Sequence, residues 1–497
     1  MSLNAISHWI GGTRDPGAPG RSGDVFDPAT GEVTSTVPFA TTAEVDRVVK
    51  VAADAFESWR STSLTRRAEI MFRFRELLVA NRSDVAAAIT SEHGKVLSDA
   101  AGEVQRGIEN VEFACGAPNL LKGAMSHQVS TGVDVHSMLQ PLGVVAGITP
   151  FNFPAMVPLW MFPNALVCGN AFVLKPSEKD PTASVMLAEL LTEAGLPDGV
   201  FNVVHGDKEA VDALLVHPTV QAVSFVGSTP IARSIYETAT SNGKRVQALG
   251  GAKNHMVVLP DADLGMAADA VVSAAYGSAG ERCMAVSVVV AVGDIADGLV
   301  AAVADRARAV RIGAGTDPDS EMGPLVTREH RDKVASYIPS AAEAGARIVL
   351  DGREQRFDSD GFFLGASIID DVTPDMDCYR DEIFGPVLSV VRVPDYESAM
   401  RLLHDNQYGN GTAIFTRDGG AARRFADEVP VGMVGVNVPI PVPVAAFSFG
   451  GWGDSLFGDS HMYGPEGLHF YTRSKVVTTR WPDPATSSVD LGFPQTR

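Results

Sequence analysis

Cys283 is the residue of this sequence best placed to act as a nucleophile. It lies in the segment GSAGERCMA, after a loop of small residues and before the apolar strand candidate SVVVAV. The neighbouring cation Arg282 favours the thiolate, which is the reactive form of a cysteine. A cysteine taken alone is more often a small buried apolar residue, which is the role predicted for Cys115, Cys168 and Cys378. Cys283 therefore needs partners elsewhere in the sequence before a function follows.

A first partner is the segment ITPFNFP, residues 148–154, which lies where a strand is predicted to end and a helix to begin. Open α/β sheets bind their ligands at such strand ends. Asn152 is a candidate donor of an amide hydrogen bond to an oxyanion, and Thr149 and Phe151 are candidates for the wall of a cofactor cleft. An asparagine in a turn commonly serves only to form the turn, so this segment indicates a function only together with the other segments described below.

Two further strand ends carry residue types that bind a dinucleotide. The segment LKPSE places Lys175 and Glu178 just beyond a strand, and Lys179 follows them. A carboxylate here can accept hydrogen bonds from both hydroxyls of an adenosine ribose, and it would repel a 2′-phosphate. The segment FVGST places Gly227 and Ser228 at a strand-to-helix turn, where backbone N–H groups and the helix dipole suit a pyrophosphate. Each segment alone is weak evidence.

The segment RDEIFGPVL supplies Glu382 and Phe384, a carboxylate and an aromatic ring that suit a second ribose and the face of a nicotinamide. Gly250, in the segment QALGGAKNH, is assigned to the same cofactor site. Taken alone, RDEIFGPVL would be an acidic loop. Together, these segments predict an NAD site, and no metal site is predicted.

Two predicted stretches of alternating strands and helices position these segments. From Gly143 to Leu259, short β-branched runs alternate with helical segments, which is typical of a doubly wound α/β sheet. One helix is predicted from near Pro181 to Gly195, and another begins after Ser228. A second stretch, from about residue 264 to residue 439, is interpreted as a second lobe, with the strand candidates SVVVAV, GPVLSVV, GTAIF and MVGVNV.

A hairpin is predicted between Lys122 and Gln140, where polar and apolar residues alternate around Thr131 and Gly132. Its exposed edge is expected to pair with another chain. The strand candidate LHFYTRSKVVTT, near the end of the sequence, is a candidate for the complementary edge of such a pairing. The tail from Trp481 is predicted to be a loop.

Composition excludes several classes of function. The chain has 497 residues, enough for about two to four domains, with 45% hydrophobic and 20% charged residues. Sixty acidic against forty basic residues give a net charge of −20, which would repel nucleic acid and anionic lipid. The four cysteines form no CxxC pair and are expected to be free thiols in a reducing cytoplasm. The sequence shows neither a membrane-spanning apolar run nor a targeting signal.

The order and context of six residues resemble the aldehyde dehydrogenase superfamily across nearly the whole chain: Asn152, Lys175, Glu178, Ser228, Cys283 and Glu382. The resemblance implies an α/β fold with three parts. These are a Rossmann-type NAD-binding domain (1–123 and 143–255), an α/β catalytic domain (256–447) and a small β oligomerisation element (124–142 and 467–490).

Hydrolytic members of this superfamily carry a glutamate in an ELGG-type segment, where it activates the water that cleaves a thioester. The matching segment here is QALGGAKNH, with Ala248 or Leu249 at the position of the glutamate, and no Asp or Glu occurs from Gly243 to Leu259. A thioester without such a base hydrolyses slowly, whereas the thiolate of coenzyme A needs less help. Acyl transfer to CoA is therefore the favoured outcome.

The segments EVQRG, GAKNH, GERCMA and NVPIPVP are similar to the methylmalonate-semialdehyde dehydrogenase family, a CoA-acylating branch that also takes malonate semialdehyde. The resemblance implies that Arg106 and Arg282 hold the carboxylate of the substrate, since a guanidinium binds a carboxylate through two hydrogen bonds. Taken alone, Arg106 would be a solvated charge near Glu103 and Glu109.

The implied reaction begins with attack of Cys283 on the aldehyde, while Asn152 and the backbone N–H of Cys283 stabilise the oxyanion. Hydride transfer to NAD, loss of CO2 and transfer to CoA then give propionyl-CoA or acetyl-CoA, in valine, myo-inositol or related catabolism. Two alternatives stay open: a hydrolytic dehydrogenase that produces a free acid, and a catalytically idle relative that acts as a binding or structural protein. The resemblance also implies a homotetramer, built as a dimer of dimers.

Overall fold

A computed structural model of the chain describes residues 4–481, 484–486, 489 and 491. The first three residues of the N-terminal segment and most of the tail predicted to be a loop lie outside the described residues. Within that tail, Pro484–Thr486 form a single 3-10 turn.

Short apolar and β-branched runs form the strands, as their composition predicts. In chain order the strands are β1 (Asn4–Ala5), β2 (His8–Ile10), β3 (Thr13–Asp15), β4 (Ser22–Asp27), β5 (Glu32–Pro38), β6 (Met125–Ser130), β7 (Val133–Pro141), β8 (Val144–Ile148), β9 (Ala171–Lys175), β10 (Phe201–Val203), β11 (Val220–Val226), β12 (Arg245–Leu249), β13 (Asn254–Val258), β14 (Val286–Val292), β15 (Arg347–Leu350), β16 (Ser367–Asp370), β17 (Val387–Val393), β18 (Tyr408–Gly409), β19 (Gly411–Phe415), β20 (Met433–Val436), β21 (Trp452–Gly453), β22 (Leu456–Phe457) and β23 (Thr472–Arg480).

Several helices begin at a side chain that caps their first turn. Thr41 accepts a hydrogen bond from the N–H of Glu44, whose carboxylate accepts one from the N–H of Thr41, and this capping box starts the first helix. In chain order the helices are α1 (Thr42–Trp59), α2 (Leu64–Ala80), α3 (Arg82–His93), α4 (Leu97–Cys115), α5 (Ala117–Leu120), α6 (Met156–Val167), α7 (Thr182–Glu193), α8 (Lys208–Val216), α9 (Thr229–Ser241), α10 (Leu264–Tyr276), α11 (Ala296–Ala309), α12 (Arg328–Glu343), α13 (Asp377–Arg380), α14 (Tyr396–His404), α15 (Gly419–Glu428) and α16 (Gly464–Phe470).

The predicted doubly wound sheet is confirmed, together with its helices α7 and α9. It has the strand order β22-β12-β11-β8-β9-β10-β2-β3, and the strands from β12 to β10 are parallel. The chain passes from β8 through β9 to β10, and then returns to place β11 on the other side of β8. Ligand crevices form where the strand order reverses in this way. The carboxyl ends of β8 and β11 are therefore the expected position of a cofactor.

The predicted second lobe is also confirmed as an α/β sheet. Its strand order is β15-β16-β17-β14-β13-β19-β20, with β15 antiparallel and the others parallel. The proposed boundary after residue 255 falls inside β13, and β22 joins the first sheet from a segment outside the three predicted units. The division into domains stays a prediction.

The predicted hairpin is formed by β6 and β7, which are joined at Thr131 and Gly132. The predicted C-terminal strand is the partner of this hairpin, but within one chain: β23 lies along β7 from Thr472, opposite Pro141, to Arg480, opposite Val133. Pairing of the hairpin with another chain stays a prediction. The open edge of β7 is thus covered within the chain. The first residues of the predicted C-terminal strand, LHF, belong to helix α16 instead.

The four cysteines are free, as predicted, and Cys283 is the most accessible of them. Among the described residues, no helix is both long enough and apolar enough to span a membrane.

Helix α6 is buried at every position because its sequence, MVPLWMFPNALV, is almost entirely apolar. It packs against the first sheet and against helices α2 and α4. At its centre the ring of Phe162 lies 4.7 Å from that of Phe201 and 5.9 Å from that of Phe74. This core holds the turn that precedes α6, which carries Asn152.

We expect Phe162→Ala to lower the free energy of unfolding by about 3–5 kcal/mol, because it leaves a cavity in a rigid aromatic core. The midpoint of urea denaturation measures this loss. Phe447→Ala is the control, because Phe447 is 69% exposed, and it should change stability by less than about 0.5 kcal/mol. Equal midpoints for the two variants would contradict the role given to α6.

Candidate active site

The predicted cofactor residues meet where the strand order of the first sheet reverses. Thr149, Phe151 and Asn152 follow β8, and Gly227 and Ser228 follow the neighbouring parallel strand β11. The hydroxyl of Thr149 is buried and has no hydrogen-bond partner among the described residues. Since buried polar groups in proteins are normally paired, this hydroxyl indicates a place where a polar ligand completes the structure.

Phe151 lies at the centre of a group of rings and cations on this side of the site. The ring of Phe384 meets it edge-on at 5.9 Å, and Nζ of Lys179 lies 4.8 Å from its centroid. Phe384 has a φ of 58°, and its carbonyl lies 2.7 Å from Nε2 of His330. A non-glycine residue with a positive φ has a strained backbone, and this conformation persists only when the surrounding structure holds it. The fold therefore brings together the predicted residues Phe151, Lys179 and Phe384.

Lys175 ends β9, and its Nζ lies 3.2 Å from Oε2 of Glu178. Burial raises the pKa of Glu178, but Lys175, a backbone N–H and Lys179 outweigh it, so that this pKa lies below its ordinary value. Glu178 is therefore ionised at neutral pH. An ionised carboxylate only accepts hydrogen bonds, as the hydroxyls of a ribose require.

Gly227, in the predicted pyrophosphate turn, and Gly250 both lie close to backbone groups of other segments. The N–H of Gly227 donates to the carbonyl of Leu249 over 3.1 Å, and Ser228 occupies the N-cap of α9 without a side-chain capping bond. The N–H of Gly250 donates to the carbonyl of Ser455, and a Cβ at Gly250 would lie 2.6 Å from a backbone oxygen. Gly250 is thus a position of close packing beneath the turn, and its part in cofactor binding stays a prediction.

The chain reaches Cys283 through a tight turn. Ser278 and Ala279 each have a φ of 52°, and Gly280 has a φ of 74°. A Cβ at Gly280 would lie 2.3 Å from the carbonyl oxygen of Gly385, so only glycine fits there. Three successive left-handed residues therefore redirect the chain and place Cys283 at the amino end of β14.

The protonation state of Cys283 depends on burial as well as on Arg282. Burial raises the pKa of its thiol to about 12, and the carboxylate of Glu382 acts in the same direction. Arg282 lowers this pKa, as predicted, but its effect is smaller. Arg282 therefore favours the thiolate, as the sequence predicts, but in the protein alone removal of the charge from water outweighs one nearby guanidinium.

Cys283 borders two cavities. The larger, of about 430 Å³, is also bordered by Arg106 and Arg282 and has an aromatic wall formed by Phe153, Trp160 and Phe449. The smaller is bordered by Arg282, Cys283, Glu382 and Phe384. Cys283, the predicted nucleophile, thus borders an aromatic cavity that carries two arginines and a second cavity on the side of the predicted cofactor residues.

Both arginines contact carboxylates of their own chain. Arg282 lies 2.7 Å from Asp99, and Arg106 lies 2.6 Å from Glu109. Arg106 also donates to the carbonyl of Pro443 over 2.8 Å, which fixes it against the loop on the far side of the cavity. A guanidinium has five N–H donors and only Nη2 of Arg282 donates to Asp99, so Arg282 can bind a second carboxylate beside Asp99.

Glu382 contacts the segment QALGGAKNH, which has no acidic residue. Its Oε1 accepts a hydrogen bond from the N–H of Ala252 over 2.9 Å, and a Cβ at Gly251 would lie 2.3 Å from its Oε2. Burial raises the pKa of Glu382 to about 7, although the N–H of Ala252 and Lys253 oppose this rise. Glu382 therefore changes charge close to neutral pH.

Sequence analysis does not identify the buried pair formed by Lys95 and Glu103. The two charges are 2.8 Å apart, and Lys95 also donates to the carbonyl of Asn152 over 2.6 Å. Glu103 accepts from the N–H groups of Ala155 and Met156, where α6 begins. The pair therefore fixes the turn that carries Asn152.

Sequence analysis also omits Asn254 and Asn410, whose amides contact the backbone of Cys283. Across the described part of the chain, no group of three or more His, Cys, Asp or Glu side chains could hold a metal ion.

In the protein without ligands, we expect the rate of alkylation of Cys283 by iodoacetamide to rise with pH and to reach no plateau below about pH 10, because only the thiolate reacts and its pKa is raised. Mass spectrometry of the labelled peptide measures the rate. Cys283→Ala should lose the fast labelling, because Cys115, Cys168 and Cys378 are buried. A plateau near pH 8 would contradict the raised pKa.

Comparison with known proteins identifies the family. Residues 16–477 match the model of the aldehyde dehydrogenase family. The chain is 59% identical to a malonate-semialdehyde dehydrogenase of Pseudomonas aeruginosa over 96% of both chains. It is 48% identical to a malonate-semialdehyde dehydrogenase of Halalkalibacterium halodurans, over 96% of this chain and 98% of that one.

Two solved structures are similar to this chain over nearly its whole length. The crystal structure of methylmalonate-semialdehyde dehydrogenase from Oceanimonas doudoroffii matches with a TM-score of 0.96 and 56% identity, over 97% of this chain and 99% of that one. A Sinorhizobium meliloti protein solved in complex with NAD matches with a TM-score of 0.96 and 51% identity, over 98% and 100%. Since the likeness covers both sheets and the segments that carry the site, the chain belongs to the aldehyde dehydrogenase family.

Proposed function

We propose that this chain is an NAD-dependent, CoA-acylating dehydrogenase that oxidises and decarboxylates methylmalonate semialdehyde and malonate semialdehyde. The proposal is carried by Cys283, which borders both the cavity with Arg106 and Arg282 and the smaller cavity of the predicted cofactor residues. An aldehyde that carries a carboxylate fits the first cavity, because guanidinium groups bind carboxylates through paired hydrogen bonds. The names of the relatives from Pseudomonas aeruginosa and Oceanimonas doudoroffii support the same substrates.

The residues at the end of the first sheet fit NAD. Thr149 offers an unpaired buried hydroxyl, and Glu178 offers an ionised carboxylate. Phe384 supplies aromatic surface to the smaller cavity that Cys283 borders, and the ring of Phe151 meets Phe384 edge-on. When bound there, NAD supplies the acceptor for a hydride.

The chemistry begins at Sγ of Cys283. The thiol loses its proton, and the N–H groups of Cys283 and Met284 stabilise the thiolate that forms. Sγ then attacks the aldehyde carbon, and the amide of Asn152 and the N–H of Cys283 stabilise the oxyanion. Departure of the hydride leaves a thioester on Cys283.

The position of the substrate carboxylate determines the next step. In a malonyl-type thioester the carboxylate is β to the thioester carbonyl, so the C–C bond can break to give CO2 and a thioester enolate, which takes a proton at carbon. Arg106 and Arg282 hold the carboxylate while Cys283 reacts. The thiolate of CoA then attacks the thioester and releases Cys283, with propionyl-CoA or acetyl-CoA as product.

A hydrolytic dehydrogenase is the second candidate. One observation favours it, since Glu382 contacts the loop at Gly251 and Ala252 and has a pKa of about 7, which would suit a general base for water. The CoA-acylating reaction remains our proposal, because the loop from Gly243 to Leu259 has no acidic residue of its own. The product, free acid or acyl-CoA, separates the two.

Assembly is a further part of the proposal. The resemblance implies a homotetramer built as a dimer of dimers. In the described sheet β23-β7-β6, the outer strands carry the largely exposed side chains of Met125 and Val476, which suit contact with a second copy. The predicted division into three domains and the cytoplasmic location stay predictions.

We expect sustained NADH formation from methylmalonate semialdehyde to require CoA, because the loop beside the thioester supplies no carboxylate for hydrolysis. A steady-state assay that omits the semialdehyde, NAD and CoA in turn measures this, with acyl-CoA identified by mass spectrometry. Cys283→Ala should show no turnover. Full turnover with water alone, and a free acid as product, would establish the hydrolytic reaction instead.

We expect Arg106→Leu to lower kcat/KM for methylmalonate semialdehyde by about 30-fold or more, corresponding to ~2 kcal/mol or more for a lost partner of a carboxylate. The value for propanal, which has no carboxylate, should change little. Arg82→Leu is the matched control, because Arg82 is exposed and hydrogen-bonded to Gln105 on the same helix as Arg106. An equal loss for both aldehydes would argue against carboxylate binding by Arg106.

A further inference from the structure

The backbone carbonyl of Cys283 accepts hydrogen bonds from two asparagine side chains. Nδ2 of Asn254 donates to it over 2.9 Å, and Nδ2 of Asn410 donates to it over 3.0 Å. Both asparagines are buried. Asn254 is the first residue of β13 and Asn410 directly precedes β19, so two adjacent parallel strands reach the nucleophile at their amino ends.

Each amide is itself held in one orientation. Nδ2 of Asn254 also donates to the carbonyl of Ala285 over 2.9 Å, and its Oδ1 accepts from the N–H of Gly411 over 3.1 Å. Nδ2 of Asn410 lies 3.1 Å from Sδ of Met284. The donors and acceptors around each amide therefore determine which side carries the nitrogen.

Two donors on one carbonyl fix the whole peptide unit that contains it. In a trans peptide the N–H of the next residue points away from the carbonyl, and all described peptides of this chain are trans. With the carbonyl of Cys283 held toward β13 and β19, the N–H of Met284 is held on the opposite side. This N–H and that of Cys283 both lower the pKa of the Cys283 thiol, against the larger effect of burial.

We propose that Asn254 and Asn410 are positioning residues that act together on the peptide between Cys283 and Met284, so that its N–H supports Sγ of Cys283 as a thiolate and the carbonyl stays out of the substrate cavity. This rests on the proposed role of Cys283 as the nucleophile. Neither asparagine needs to touch a substrate for this role, because both act through the backbone.

Other charged and titratable groups near Cys283 also affect its thiol, and the asparagine substitutions leave them in place. Glu382, Arg282 and Tyr463 interact with Cys283 electrostatically. Further charged residues border the larger cavity: Lys95, Asp99, Glu103 and Arg106. All of them remain in the variants compared below, so a difference between variants reports the asparagines.

The test is the pH profile of iodoacetamide alkylation of Cys283 in the full chain without substrate, NAD or CoA. We expect Asn254→Ala and Asn410→Ala each to lower the alkylation rate at every pH below about 10 by roughly tenfold, as the loss of about one hydrogen bond to a thiolate implies. The double variant should lose little more than the larger single loss, because both residues act on one peptide.

Asn170→Ala is the matched control. Asn170 is fully buried and also donates its amide to two backbone carbonyls, those of Ala165 and Tyr471, but it directly precedes β9 of the first sheet. A melting temperature for each variant reports any loss of stability. We expect the control to lose stability and to keep the wild-type alkylation rate at each pH.

Unchanged profiles in both single variants, or additive losses in the double variant, would overturn the proposal. The experiment uses no semialdehyde and no CoA, so its outcome is independent of the substrates proposed above. A failure of CoA-dependent turnover would leave the alkylation result intact.

Discussion

The buried ion pair of Lys95 and Glu103 connects the parts of the molecule on which the active site depends. One end of the pair holds the carbonyl of Asn152, and the other holds the first N–H groups of α6. Loss of one partner of a buried ion pair destabilises a protein by about 3–5 kcal/mol. Movement of the Asn152 turn away from this pair would therefore have a large free-energy cost. Arg106 lies on α4 one turn beyond Glu103 and is thereby fixed relative to the proposed oxyanion donor.

The two sheets contribute opposite ends of their strands to the site. The first sheet supplies the turns after the carboxyl ends of β8, β9 and β11, which is usual for open α/β sheets. The second supplies the amino ends of β13, β14 and β19, where Asn254, Cys283 and Asn410 lie. The turns of the first sheet thus face Cys283, the proposed nucleophile, whose backbone is held by residues of neighbouring strands.

Much of this arrangement follows from local patterns in the sequence. Short β-branched runs separated by helical segments predict both sheets, because side-chain periodicity and turn residues act over a few positions. Cys283 is identified by its loop and its neighbours, and Phe384 by its segment. The hairpin and its candidate partner strand near the C-terminus are predicted for the same reason, but pairing of β7 with β23 of the same chain is not, because it joins segments that are far apart in the chain.

Residues whose roles depend on burial cannot be recognised from a local sequence pattern. Lys95, Asn254 and Asn410 are single polar residues, and their roles depend on which carbonyl each one meets after folding. The pKa of Cys283 is missed for a related reason, since the sequence shows Arg282 beside the thiol but not the loss of water around it. Burial of charge is a property of the packed chain and has no local signature.

The contact between Arg282 and Asp99 has a consequence for ionic strength. An acidic substrate that approaches Arg282 meets a positive charge that is already partly neutralised by an aspartate 2.7 Å away. Dissolved salt weakens the internal pair and the pair with the substrate alike, because both are screened in the same partly exposed place. The apparent affinity for the substrate should therefore depend less on salt than attraction between two free opposite charges would require.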